Sequence, residues 1–246
     1  RGTIRIEAKG FEAREADIAK VCLSAVGELQ KFCPELPTED VVIVRGTKGP
    51  ITLFRRNDRG EVVVKLDTGK TYWSQYAYQV AHEFGHVHCG FRPGPQHNQW
   101  FEESVCETAS LFCLRAMAKT WASKPPYPNW ASYAPALGKY AGDVIAKRTY
   151  KDEFTSKGLA RFYRDHEAEF RANATERELN GAVALALLPV AALPGLRMQL
   201  AAAALVALNR MDELAQMLER HPDLADQMAP IVAGRLNLTD RQLRRG

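Results

Sequence analysis

The apolar period of this chain changes between Leu66 and Tyr72, and that change separates the stretch that can form strands from the stretch that must be helical. Before it, Thr3 to Ala8 alternates, and Val41 to Val44, Ile51 to Phe54 and Val62 to Leu66 are short β-rich runs. The last two flank Asn57-Asp58-Arg59-Gly60, whose residues suit a hairpin turn. One helix interrupts them. From Glu12 to Phe32, apolar residues recur at helical spacing (Ile18, Val21, Cys22, Ala25, Val26, Leu29) until Pro34 ends the run. After the change, Tyr76, Val80, Phe84, Val87 and Cys89 predict a helix from about Tyr72 to Gly90, with the glycine as its C-terminal cap. A Pro- and Gly-rich loop follows from Phe91 to Gln99, and then a helix from Trp100 to about Trp121.

Lys124-Pro125-Pro126-Tyr127-Pro128 cannot continue a helix and marks the expected domain boundary. Helices are expected beyond it over Trp130 to Arg148, Phe154 to Asn173, Glu176 to Leu188, Arg197 to Arg220 and His221 to Leu236. The expected fold class is α+β. A lobe over 1–123 holds a small, mostly antiparallel sheet and two long helices, and a helical lobe over 124–246 completes a cleft.

Composition narrows the partners. With 246 residues, 46% of them hydrophobic, the chain can bury a substantial core. The net charge of +4 is mild and Lys and Arg are scattered, so no nucleic-acid partner is expected. The most apolar stretch, Gly181 to Leu208, is interrupted by Pro189, Pro194, Gly195 and Arg197, which predicts two buried helices and no membrane span. Five cysteines (Cys22, Cys33, Cys89, Cys106, Cys113) leave at least one unpaired, and any bridge must join different elements. The chain opens Arg1-Gly2-Thr3 without a methionine or a charged-then-apolar leader. We therefore expect that processing or cloning removed what preceded it, and that an exported location, periplasmic or extracellular, is favoured. The oligomeric state is left open.

His82-Glu83-Phe84-Gly85-His86 carries the chemistry. On a helix, two histidines four residues apart project from one face at a separation that a single Zn²⁺ can bridge. Glu83, one residue round from His82, is placed to act as general base on a metal-bound water rather than to ligate. The flanking Val80, Ala81, Phe84, Gly85 and Val87 are uncharged, as a buried metal helix requires. On the next helix Glu103 and Glu107 share a face, while Glu102 is turned about 100 degrees away. Glu103 then supplies the third ligand, and Glu107 the outer carboxylate that accepts a histidine N–H.

An HExxH helix followed by Trp100-Phe101-Glu102-Glu103-Ser104-Val105-Cys106-Glu107 resembles the gluzincin metallopeptidases, the thermolysin-like and aminopeptidase-like group. The resemblance covers roughly residues 60 to 120. It implies a zincin-like fold, one zinc per chain on His82, His86 and Glu103, and hydrolysis of a peptide or protein substrate with Glu83 as base. It also implies an extended substrate added to a sheet edge over Glu61 to Asp67, with Val63 and Val64 at its centre. A tyrosine some sixty residues after the glutamate ligand assists the oxyanion in such relatives; Tyr163 stands there, with Tyr140 and Tyr150 as rivals. Glu102 stands where the family has asparagine, which hints at a substrate amine.

Other ligand sets are weaker. The pattern HExxHxxGxxH fails, because Cys89 replaces its glycine and Arg92 its last histidine. His97 and a set including Cys89 and Cys106 are the remaining candidates; His88 lies about 200 degrees round the helix from His86. Two rival functions would use the same residues: a zincin-fold binding module without turnover, and a zinc hydrolase of a non-peptide amide.

Overall fold

The computed structural model describes residues 2–32, 39–89, 99–153 and 159–188. Strand β1 (Ile4–Ile6) leads into helix α1 (Glu15–Phe32), followed by β2 (Val41–Arg45), β3 (Ile51–Leu53) and β4 (Val62–Leu66). Helices α2 (Trp73–His88) and α3 (Gln99–Ser123) come next, then a 3-10 turn (Pro128–Tyr133) and α4 (Ala134–Ala146). Two further helices follow, α5 (Leu159–Ala172) and α6 (Arg177–Leu187). The class is α+β, with six α-helices and one four-stranded sheet among the described residues.

The sheet runs β1-β2-β4-β3 and is mixed, not mostly antiparallel. β1 pairs parallel with β2, and β2 parallel with β4; only β3 and β4 are antiparallel. The reason is connectivity. α1 intervenes between β1 and β2 and returns the chain to run in the same sense, and β4 folds back from β3 into the place beside β2. β4 is therefore an inner strand: Val63 faces Val42 on one side and Leu53 on the other, and Val64 faces Ile43 and Thr52. The expected substrate edge over Val63 and Val64 does not exist, and the edge strand next to β4 is β3.

The hairpin forms where its turn residues predict. The Asn57 side-chain oxygen accepts the backbone N–H of Arg59 at 3.0 Å and of Glu61 at 2.9 Å, and Gly60 supplies the left-handed φ of +76°. Arg5 of β1 donates to both Glu61 oxygens, at 2.9 and 2.7 Å, and holds that carboxyl well down, at about 2. α1 starts at Glu15 rather than Glu12, because Glu12 adopts a left-handed φ of +55° that no helix accommodates.

Contacts group the described residues into two compact units, 2–32 and 39–89 with 106–148, and 99–105 with 149–153 and 159–188. The core of the first contains Ile18, Val21, Cys22, Ala25 and Val26 of α1, Ile43, Val62, Val64 and Leu66 of the sheet, Tyr76, Val80 and Phe84 of α2, and Leu111, Leu114 and Met117 of α3. Large apolar side chains of this kind each contribute ~1.5–3 kcal/mol on burial, which fixes α2 against the sheet. In the second unit, Trp100 stacks on Tyr163 and packs on Phe170, with ring centroids 5.1 and 4.4 Å away.

Cys22, Cys89, Cys106 and Cys113 are free thiols. No helix among the described residues is long and apolar enough to cross a membrane. α6 covers the start of the apolar stretch from Gly181, and the expected helices over 197–236 lie outside the described residues, as do His97 and the capping Gly90.

Candidate metal centre

α2 carries the motif on a helix buried along one side. Val80, Ala81, Phe84, Gly85 and Val87 are buried, which leaves His82 and His86 half-buried on the adjoining face. Their rings lie 5.1 Å apart, centroid to centroid, as residues four apart on a helix must. Ligand atoms of His82, His86 and Glu103 all lie within 4.8 Å of one another. Among the described residues this is the only group of three or more His, Cys, Asp or Glu side chains so placed. Glu102, although half-buried beside Glu103, is not part of it, and neither are Cys89 and Cys106.

Gly85 explains how closely α2 approaches α3. A Cβ built there would lie 2.8 Å from Cys106 Sγ and 3.1 Å from Cys106 Cα, so only glycine admits this helix contact. Ser110 of α3 adds a hydrogen bond of 2.9 Å to the Tyr78 carbonyl. Ser104, one position past Glu103, is wholly buried, and its hydroxyl donates at 2.8 Å to the Trp100 carbonyl one turn back.

Glu107 stands beside His82, with its Oε2 3.9 Å from His82 Nδ1. The same carboxylate accepts the Tyr78 hydroxyl at 2.5 Å and pairs with the Arg148 guanidinium. Burial, reinforced by the Glu107 charge, raises the pKa of Tyr78, so it stays a donor at neutral pH. Tyr140 sits edge-on to Tyr78 at 5.9 Å.

Glu83 is 3% exposed, and its Oε2 accepts the Thr52 hydroxyl of β3 at 2.6 Å. His88 is half-buried, edge-on to Phe84 at 6.3 Å, and the burial of its ring pushes its pKa down to about 4. Tyr163 is half-buried on α5, stacked on Trp100, and Tyr150 packs on Phe162 and His166.

Thr52, Tyr78 and Arg148 escaped the sequence reading. Tyr78 had a signal, since it precedes His82 by one helical turn and shares its face. Thr52 and Arg148 reach their partners over 31 and 41 residues of chain, and no spacing rule joins them.

Comparisons with protein-family models, curated proteins and solved structures found no match for this chain.

Proposed function

We propose that the chain is a zinc-dependent metallopeptidase of the gluzincin type, with a zincin-like arrangement of sheet, metal helix and glutamate helix. The observation that carries this reading is the convergence of His82, His86 and Glu103 beside a buried Glu83. Two imidazoles and one carboxylate are the donor set of a three-ligand zinc site with an open fourth position. Zinc bound there would acidify a coordinated water and polarise the scissile carbonyl.

The remaining work falls to the protein. Glu107 Oε2 stands 3.9 Å from His82 Nδ1, on the side from which a carboxylate would accept that N–H while Nε2 ligates. Glu83 takes a proton from the attacking water and passes it to the leaving amine. An extended peptide would pair with the main chain of β3, the edge strand that the sheet order offers in place of β4.

Activity on a mixed peptide library, with and without chelator, tests the reading. Glu83→Gln is expected to keep its zinc and lose about 10²- to 10⁴-fold in kcat. A Glu83→Gln protein as active as the wild type would refute the mechanism, and zinc binding without turnover on any peptide would favour a binding module.

A further inference from the structure

We propose that Thr52 is a positioning residue for the Glu83 carboxylate, a role that rests on the reading of Glu83 as general base. Thr52 is 7% exposed, and its side chain has no part in sheet pairing, which runs through the main chain opposite Val64. Its hydroxyl lies 2.6 Å from Glu83 Oε2 and 3.3 Å from the Glu83 carbonyl oxygen. The shorter contact takes the single hydroxyl proton.

A glutamate carboxylate turns easily about its last torsion, where the preference is broad and two-fold. A donor fixed on one oxygen restricts that freedom and leaves Oε1 as the oxygen that would take the proton from the water. The donor stands on β3, the edge strand an extended substrate would pair with. The strand that would register the substrate therefore also orients the base, and an error in either is an error in their mutual geometry.

Thr52→Val keeps the branched shape and removes the donor, whereas Thr52→Ser keeps the donor and removes a methyl. In the zinc-loaded protein Thr52→Val should lower kcat about 30-fold or more with KM within about threefold, as a misplacement near 1 Å does. Thr52→Ser should stay within about threefold of wild type in kcat. A crystal structure of metal-free Thr52→Val should show the Glu83 carboxylate turned from its wild-type position, a readout independent of turnover. Thr52→Val with wild-type kcat, or with Glu83 unmoved, overturns the proposal, and so does equal impairment of both variants, which would mark a packing role. A zinc-loaded wild type that hydrolyses nothing instead overturns the peptidase reading, and this role with it.

Discussion

Glu107 is a carboxylate with an 8% exposed side chain, held by a Tyr78 hydroxyl and an Arg148 guanidinium whose side chain is 9% exposed. Removing one member of a buried ion pair leaves the other charge desolvated and uncompensated, at a cost of ~3–5 kcal/mol. Arg148→Met should therefore lower the unfolding free energy by about 3 kcal/mol in chemical denaturation. Combining it with Glu107→Gln should recover most of that loss, because the stranded charge is gone; equal destabilisation in single and double variants would show that Arg148 acts by packing alone. Glu107 itself was legible, since it follows Glu103 by one helical turn. Its partner Arg148 was not, because long-range pairing of charges is decided by how elements pack and leaves no periodic trace.

Among the elements, the approach of α2 to α3 rests on Gly85. Gly85→Ala places a methyl 2.8 Å from Cys106 Sγ, so the helices must part. Overpacking of this kind costs ~1–3 kcal/mol, and His86, the next residue, moves with the backbone. The expected result is a lower melting temperature together with weaker zinc binding. Cys106→Ala in the same chain should restore part of both, because the nearest clash is with the thiol, while the 3.1 Å approach to Cys106 Cα remains. Full stability in Gly85→Ala would mean that the helix contact is loose. Helix positions and the hairpin could be read from apolar spacing and from Asn57 to Gly60. Strand direction and order could not. Alternation reports which face of a strand is buried, as the 0% exposure of Val62, Val64 and Leu66 bears out, but it is identical for parallel and antiparallel neighbours. That is why β4 passed for an edge.

For the whole chain, the central claim is that α2 and α3 bring two imidazoles and a carboxylate to one cation. Each helix was visible in the sequence, and so was each candidate ligand on it. Their meeting is an expectation from the sequence, and in the structure their potential donor atoms lie within 4.8 Å of one another. Metal analysis of the purified protein after exhaustive dialysis against metal-free buffer tests this most directly. The predicted result is about one zinc per chain in the wild type, falling to roughly a tenth or less in His82→Ala and in Glu103→Ala. Wild-type protein that retains no zinc when supplied with it, or a Glu103→Ala variant that holds zinc as tightly as the wild type, would contradict it.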